Sequence, residues 1–211
     1  MMDFLIVLSI GYLFGNFQTS YLLGKWIYKL DVRALGRGNA GASNATESLG
    51  FKFGVLVGVL DILKAIVSIW MIKVMFNVGF DSSGSMLLYL NGLGVILGHN
   101  FPFFMKFKGG KGTASLVGMM LGLNPFFGLG GMLILLITSL VFDYIAIGTF
   151  ALVVYTIIVT VLMDAGSGPI AISVIIAFMS TFLHRKNYIR ILRKEESKVS
   201  RVLGKLKKGK K

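Results

Sequence analysis

The sequence predicts an all-α protein, a polytopic helix bundle integral to a membrane, and two observations support this fold class. Of the 211 residues, 55% are hydrophobic and only 15% are charged. Several apolar runs approach or exceed the roughly 20 residues that a helix needs to cross a bilayer. Because backbone polar groups in lipid must be satisfied internally, a bundle of helices is expected. The chain has no cysteine and two histidines, which excludes thiol chemistry and argues against a metal centre.

Six apolar runs are the candidate spans, and the loops between them differ in charge. The runs cover residues 4–23, 53–75, 86–104, 126–142, 145–163 and 169–183. Basic residues are concentrated in residues 25–52, in residues 105–113 and in the C-terminal tail. In each of the loops 77–85 and 164–168, the only charged residue is an Asp. The positive-inside rule therefore places the three basic regions in the cytoplasm and the two acidic loops outside.

A count of crossings predicts a further, short segment. The N-terminus carries Asp3 and no basic residue, so it is placed outside. Three spans then bring the chain inside, and four more crossings are needed before it ends inside. Residues 126–183 offer three, so residues 114–123 are the predicted fourth, although at 1.5 Å per residue they cover only about 15 Å. About seven segments are expected, with the N-terminus out and the C-terminus in.

The most distinctive polar stretch is residues 98–113, with the sequence GHNFPFFMKFKGGKGT. Glycine-rich turns expose backbone N–H groups in concave nests that bind anions. The stretch predicts a phosphate site at the membrane surface, built from Lys108, Gly109, Gly110, Lys111 and Gly112. The alternative is a basic loop that only sets topology.

Two opposite charges interrupt the second apolar run. Asp61 and Lys64 are three residues apart, so they share one helix face. Each costs about 2.5–3.5 kcal/mol in the membrane, so both are expected to face the bundle interior and find partners. Either one of them lines a substrate cavity, or the two form a structural pair.

Residues 36–44 form a loop of small residues and amides. Gly38, Asn39, Gly41 and Asn44 suit a second cradle for an anion or polyol, with glycine backbone donors and side-chain amides. A flexible linker is the alternative.

The last apolar run ends at His184, and Asn187 shares its helix face by spacing. His184 there is a proton carrier, a phosphate ligand or a merely tolerated interface residue. Residues 184–211 hold twelve Lys or Arg residues against two Glu residues. We therefore separate a membrane domain, residues 1–190, from a basic cytoplasmic tail, residues 191–211, which anionic lipid attracts. A nucleic-acid partner is not expected of an integral membrane chain.

These regions, in this order, resemble the bacterial acyl-phosphate-dependent glycerol-3-phosphate acyltransferases, the PlsY family, over nearly the whole chain. The second motif is intact from Gly98 to Gly112, and the third keeps His184, Arg185, Asn187, Arg190 and Glu196. The first motif departs from the family.

In that first motif, Arg37 stands where the family has a serine, and Glu47 stands where an arginine helps to hold the substrate phosphate. The family usually has serines at the positions of Ala146 and Thr149, and of these two only Thr149 keeps a hydroxyl. Arg37 either replaces the lost cation or pairs with Glu47. We expect Glu47 to be paired, either with Arg37 or with a loop lysine, because a bare carboxylate would repel a phosphate.

The resemblance implies transfer of a fatty acyl group from acyl-phosphate to the sn-1 hydroxyl of glycerol 3-phosphate, giving lysophosphatidic acid in phospholipid synthesis. It implies no metal or other cofactor, a location in the bacterial plasma membrane among membrane lipids, and a site facing the cytoplasm. His184, Asn187 and Lys111 are the expected catalytic residues. Residues expected to bind substrate are Arg37, Gly38, Asn39, Gly41, Asn44, Lys64, Lys108, Gly109, Gly110, Gly112, Thr149 and Glu196.

Two questions stay open at this level. The attacking hydroxyl loses its proton either to His184 or to a substrate phosphate. The chain is either this enzyme, a paralogue that acylates another acceptor, or a non-catalytic membrane subunit that binds lipid. The sequence predicts no oligomeric state.

Overall fold

A computed structural model describes residues 2–81 and 84–208, with the backbone alone for residues 203 and 205–208. This part of the chain forms eleven α-helices and two short 3-10 turns, Val32–Ala34 and Phe103–Met105. The helices are α1 Met2–Asn16, α2 Thr19–Tyr28, α3 Ala42–Leu49, α4 Phe51–Phe76, α5 Ser85–Asn100, α6 Thr113–Leu123, α7 Pro125–Phe142, α8 Ile145–Leu162, α9 Ser167–Leu183, α10 Arg185–Leu192 and α11 Val199–Lys208.

The helices form a multi-pass membrane bundle. Among the described residues, four segments are long and apolar enough to cross a bilayer: α4, α5 with the turn after it, α7 and α8. A fifth is added if α9 and α10, which meet at a 49° bend, count as one span. The predicted short segment is a separate helix, α6, which ends where Asn124 and Pro125 begin α7.

The predicted first span, residues 4–23, is wrong as one continuous helix, because the chain breaks between α1 and α2. The Lys64 ammonium donates to the carbonyls of Gly15 and Phe17, at the C-terminal end of α1, at 3.3 and 2.8 Å. Thr19, the first residue of α2, donates its hydroxyl to Asp61 at 3.0 Å. The cation thus lies at the negative end of one helix dipole and the carboxylate at the start of the next helix. The hydropathy of residues 4–23 gives no sign of these partners, which lie on α4, so the sequence predicted one continuous span.

Helices α1 and α5 pack backbone to backbone through glycines. A Cβ atom on Gly15 would lie 2.1 Å from the Val95 carbonyl oxygen, and one on Gly98 would lie 2.1 Å from that of Tyr12. Neither contact could accommodate a side chain, so the small residues allow the close approach that membrane helices use in place of a hydrophobic driving force. This packing fixes the end of α5, and with it the polar loop that follows.

The short helix α6 lies in the centre of the bundle. Five of its apolar side chains are at most 2% exposed, namely Leu116, Val117, Met119, Met120 and Leu123. A Cβ atom on Gly118 would lie 2.3 Å from the Ile62 carbonyl oxygen, so α6 also packs closely on α4. Surrounding helices therefore shield a segment too short to span, and the N-terminal end of α6 is held at one end of the bundle.

Candidate functional site

A cavity of about 420 Å³ opens at the end of the bundle where α6 begins. Its polar wall is made by residues from the loop before α3, from the start of α6, from the α9–α10 junction and from residues 196 and 197. These are Arg37, Asn39, Gly41, Ser43, Asn44, Thr46, Glu47, Lys111, Gly112, Thr113, His184, Asn187, Glu196 and Ser197. The remaining wall is apolar and includes side chains of α7 and α8 at Met132, Leu135, Leu136, Ile145 and Ala146. One cavity thus joins a polar region that carries charges of both signs to an apolar groove.

Two helix N-termini face this cavity. Helix α3 starts after Gly41, and α6 starts after Gly112, whose φ of 84° favours glycine. Gly41, Ala42 and Ser43 at one helix, and Gly112, Thr113 and Ala114 at the other, line the cavity. The first N–H groups of a helix lack intrahelical acceptors and carry its positive dipole end. Two such ends at one cavity favour a ligand with negative charge.

Lys111 lies between these elements and is the best-placed cation. Its ammonium donates to the side-chain oxygen of Asn187. The Asn187 amide in turn donates to Glu196 at 2.9 Å, and Glu196 accepts from Arg190 at 2.5 Å. Burial, together with the nearby charge of Arg190, lowers the pKa of the Lys111 ammonium from 10.5 to about 8. A bound anion would reverse this, so Lys111 is set to gain a negative partner.

His184 is oriented by the backbone of its own helix. It is 5% exposed and lines the cavity. Its Nδ1 lies 2.9 Å from the Ser180 carbonyl oxygen. Because a carbonyl oxygen only accepts, Nδ1 carries the proton, and a neutral ring keeps its lone pair on Nε2. His184 can therefore accept a proton at Nε2, the form that a general base requires.

Arg37 and Glu47 form the predicted pair, with Arg37 Nε 3.5 Å from a Glu47 carboxylate oxygen. Arg37 has a second set of partners that sequence reasoning missed. Its guanidinium donates to the Glu195 carbonyl at 3.2 Å and to the Ser197 hydroxyl at 3.0 Å. The first loop is thereby joined to the tail across more than 150 residues of sequence.

The loop amides shape the cradle instead of reaching into it. Asn44 donates to the carbonyls of Val32, Leu35 and Asn39 at 2.8–3.2 Å, and its oxygen accepts from the Arg37 N–H at 2.6 Å. Asn39 accepts from the Gly41 N–H at 3.0 Å. Both residues line the cavity, but these bonds use their amides to hold the loop. The alternative of a flexible linker is therefore wrong.

The predicted nest of free N–H groups does not form at Gly109 and Gly110. Their N–H groups donate to the carbonyls of Asn100 and His99, each at 3.0 Å. A Cβ atom on Gly110 would lie 2.1 Å from His99 Nε2, so glycine is needed there for close packing. Lys108 is exposed and, like the two glycines, is absent from the cavity wall. Of the predicted loop ligands, only Lys111 and Gly112 line the cavity.

Lys64, predicted as a substrate ligand, is also absent from this wall, because its ammonium is used inside the bundle. It lies 2.8 Å from an Asp61 carboxylate oxygen and 2.9 Å from His99 Nδ1, in addition to its two α1 carbonyls. Asp61 and His99 do line the cavity, at its floor. That Asp61 lines a cavity was one of the two alternatives for the Asp61–Lys64 pair, whereas His99, which follows Gly98 in the distinctive loop, was not among the predicted ligands.

Two other predicted residues lie beside the cavity, not on its wall. Thr149 is buried and its hydroxyl lies 3.1 Å from that of Thr113, which does line the cavity. Gly38 is exposed, with a φ of 74° in the turn before Asn39. Four hydroxyl side chains on the cavity wall were not predicted from the sequence: Ser43, Thr46, Thr113 and Ser197. Across residues 2–81 and 84–208, no three His, Asp or Glu side chains are grouped as metal ligands would be.

Comparison with known proteins gives one consistent family. A model of the family described as glycerol-3-phosphate acyltransferase matches residues 5–194. Glycerol-3-phosphate acyltransferase 1 of Oceanobacillus iheyensis is 36% identical over 206 residues, covering 97% of this chain and 99% of that protein. The glycerol-3-phosphate acyltransferase of Staphylococcus aureus is 32% identical over 202 residues, covering 94% and 98%.

Solved structures give the same result for the fold. The crystal structure of PlsY (YgiH), an integral membrane glycerol 3-phosphate acyltransferase, in its glycerol 3-phosphate form, matches with a TM-score of 0.83. That match is 29% identical and covers 92% of this chain and 94% of the solved one. The lysophosphatidic acid form of the same protein matches with a TM-score of 0.79.

Proposed function

The chain belongs to the glycerol-3-phosphate acyltransferase family, and from this premise we propose where and how its reaction takes place. As in that family, the activity is acyl transfer to glycerol 3-phosphate, which yields lysophosphatidic acid. We propose that the 420 Å³ cavity is the active site and that the acyl donor is an acyl-phosphate.

One observation carries the assignment of the site. The Lys111 ammonium and the N-termini of α3 and α6 lie on the same cavity as His184 and an apolar groove of α7 and α8. Fixed positive groups suit the phosphates of acceptor and donor, because backbone N–H groups and a lysine both bind phosphate. The groove suits a fatty acyl chain, which gains about 0.8 kcal/mol for each CH₂ group removed from water.

The proposed reaction needs only positioned side chains. The sn-1 hydroxyl oxygen attacks the acyl carbonyl carbon, the new ester C–O bond forms, and the bond from carbon to phosphate oxygen breaks to release inorganic phosphate. The hydroxyl proton passes to His184 Nε2, whose lone pair is fixed by the bond from Nδ1 to Ser180. Lys111 and the first N–H groups of α6 stabilise the charge that develops on the carbonyl oxygen. Asn187 and Glu196 hold Lys111 in place.

We also propose the membrane orientation. The bacterial plasma membrane holds the bundle with the cavity at the cytoplasmic side, the N-terminus outside, the C-terminus inside and seven crossing segments that include α6. The tail, residues 191–211, contributes Glu196 and Ser197 to the cavity wall before it continues as α11. Because the chain has no cysteine, single cysteines at Asn124 and Asp164 can be labelled selectively. Labelling from the cytoplasmic side alone at either position would overturn this topology.

Turnover by the purified protein tests the activity. Phosphate release from acyl-phosphate is measured with and without glycerol 3-phosphate, and lysophosphatidic acid is quantified. We expect release to require glycerol 3-phosphate and to match lysophosphatidic acid mole for mole. Release without this acceptor, or into another acylated product, would contradict the assignment.

A His184→Gln variant tests the proposed base. General base catalysis contributes about 10²–10⁴-fold in rate, so we expect a loss of that order in kcat with little change in KM. A matched Tyr188→Phe variant in the next helical turn keeps the fold and serves as the control. An unchanged kcat in His184→Gln would assign the proton to a substrate phosphate instead.

A further inference from the structure

We propose that α11 docks on an anionic membrane surface and that its docking holds residues 195–197 against the cavity. The second part rests on the proposed function, and the first does not. Three features of α11 support this: the spacing of its apolar and basic residues, its attachment to α7 and its short distance in sequence from the cavity wall.

Helix α11 is amphipathic along its described backbone. Positions 199, 202, 203 and 206 hold Val, Val, Leu and Leu, at a spacing that puts them on one helix face. Positions 201, 205 and 208 are basic and fall on the opposite face. Residues 198–211 contain seven Lys or Arg residues and no Asp or Glu. A short helix with an apolar stripe and a basic face is typical of segments that lie in a membrane interface.

The start of α11 is fastened to a lipid-exposed helix. Asp143, directly after α7, accepts from the Ser200 N–H at 2.7 Å and from the Ser200 hydroxyl at 2.8 Å. The Asp143 carbonyl accepts from the Val199 N–H at 3.0 Å. In the last turn of α7, Val141 and Phe142 are 71% and 58% exposed. Since those side chains face lipid in a membrane bundle, α11 begins at the level of the membrane surface.

These observations favour an anionic bilayer as the surface on which α11 docks. The apolar stripe starts where the lipid-exposed face of α7 ends, so both can be covered by the same bilayer. The basic residues are attracted to anionic headgroups by about fivefold per charge near the surface. Helix α11 also lies beyond residue 194, where the match to the family model ends.

Only one residue separates the cavity wall from α11. Ser197 lines the cavity and accepts from Arg37, and Val199 is already bound to Asp143. Glu196, directly before Ser197, accepts from Asn187, the residue that holds Lys111. When α11 is anchored on the bilayer, it therefore restrains residues 195–197, the segment that positions Lys111 through Asn187.

Docking is tested with a label on α11 in the full chain. Position 202 lies on the apolar face of α11, and Val202 is half-buried, so Val202→Cys places an environment-sensitive fluorophore on the side of the helix that would enter the bilayer. The protein is placed in nanodiscs of phosphatidylcholine alone or of phosphatidylcholine with about 30–40% phosphatidylglycerol, an anionic lipid that makes the bilayer surface negative. We expect the emission to rise and shift to the blue only in the anionic discs.

Charge removal sharpens this test. Replacing Lys205, Lys207 and Lys208 by Gln is expected to weaken docking by about 100-fold, and the blue shift should disappear. The matched control replaces the exposed Lys29, Lys52 and Lys106 by Gln, which removes equal charge elsewhere and should leave the emission unchanged. The docking proposal is wrong if the emission does not depend on lipid composition, or if the control replacements change the emission as much as the α11 replacements do.

The coupling is tested by the KM for glycerol 3-phosphate in the same discs. We expect KM to rise severalfold when the three α11 lysines are replaced in anionic discs, and to be the same as wild type in neutral discs. Asp143→Asn keeps every basic charge but weakens the attachment of α11 to α7. The label on this variant should therefore still respond to anionic lipid, whereas its KM for glycerol 3-phosphate should not depend on the lipid composition. A KM independent of docking in all variants overturns the coupling. Absent turnover with a normal label response would instead overturn the proposed function.

Discussion

Lys64 and Lys111 are both largely buried lysines near a histidine and a carboxylate, yet the structure uses them differently. Lys64 touches the Asp61 carboxylate directly, at 2.8 Å, and two backbone carbonyls complete its shell. Lys111 reaches Glu196 only through the neutral amide of Asn187. The first cation is compensated inside the protein, and the second faces a cavity.

The difference shows what makes a buried cation structural or functional. A charge paired at contact distance within the bundle has little to gain from a ligand, and it costs much when its partner is removed. A charge held by an amide keeps its position but still lacks a countercharge, so an arriving phosphate supplies one.

The largest effect is expected on stability from Lys64→Met. This change leaves Asp61 charged and unpaired in the bundle, which typically costs about 3–5 kcal/mol. The midpoint of thermal unfolding in detergent should fall steeply. The double variant Lys64→Met with Asp61→Asn removes both charges and should recover most of the loss. If the single variant melts like wild type, Lys64 is not a structural cation and the contrast fails.

Lys111→Met should affect activity more than stability. Loss of a charge-assisted bond to phosphate costs about 1.5–3 kcal/mol, or about 10- to 150-fold in kcat/KM. The melting midpoint should change little, because no carboxylate is left in direct contact. Lys108→Met, on the exposed side of the same loop, is the matched control and should keep near-normal kcat/KM. Equal losses in both variants would mean that general loop charge, not the cavity position, matters.

The pH dependence of KM should report Lys111. Its pKa of about 8 means that the free enzyme loses this positive charge as the pH rises through 8. A phosphate monoester, with a second pKa near 6, stays a dianion over that range. Affinity for glycerol 3-phosphate should therefore fall by about tenfold from pH 7 to pH 9. Lys111→Arg, always charged, should flatten the profile; a slope that persists in it would assign the titration elsewhere.

The smallest effect is expected at Arg37 and Glu47. An exposed ion pair contributes about 0–1 kcal/mol, so Arg37→Ser should raise KM up to about fivefold, by freeing Glu47 and the segment with Glu195 and Ser197. Arg37→Ser with Glu47→Arg restores the pattern of the family and should match or exceed wild-type turnover. If Arg37→Ser alone abolishes activity, Arg37 is itself a phosphate ligand. If both variants equal wild type, this loop does not contact substrate.

Local pattern was sufficient for the helices whose partners are lipid or their own neighbours. Hydropathy located α4, α5, α7, α8 and α9, and the charge of the loops required the short α6. The spacing of Asp61 and Lys64 required one interior face, and the structure pairs them there. These features follow from periodicity and solvation cost, which act over a few residues and can be deduced from the chain itself.

The site was predicted in part, and its errors have a common cause. His184, Asn187, Lys111 and Glu196 were expected and line one cavity. Gly109 and Gly110 were expected to offer free N–H groups but pair with the end of α5, since a glycine serves close packing as readily as anion binding. Local sequence does not distinguish these uses.

From the sequence alone follow a multi-pass helical membrane protein, its short helix α6, its interior ion pair and several of the polar residues that line the cavity. Only the tertiary structure shows that the carbonyls at the end of α1 accept from Lys64, that an apolar groove of α7 and α8 adjoins the polar loops, and that Arg37 binds the tail. Each of these depends on contacts between residues far apart in the chain, such as the 76 positions between Lys111 and Asn187. Periodicity fixes which face of a helix is buried, but only packing decides which groups it meets.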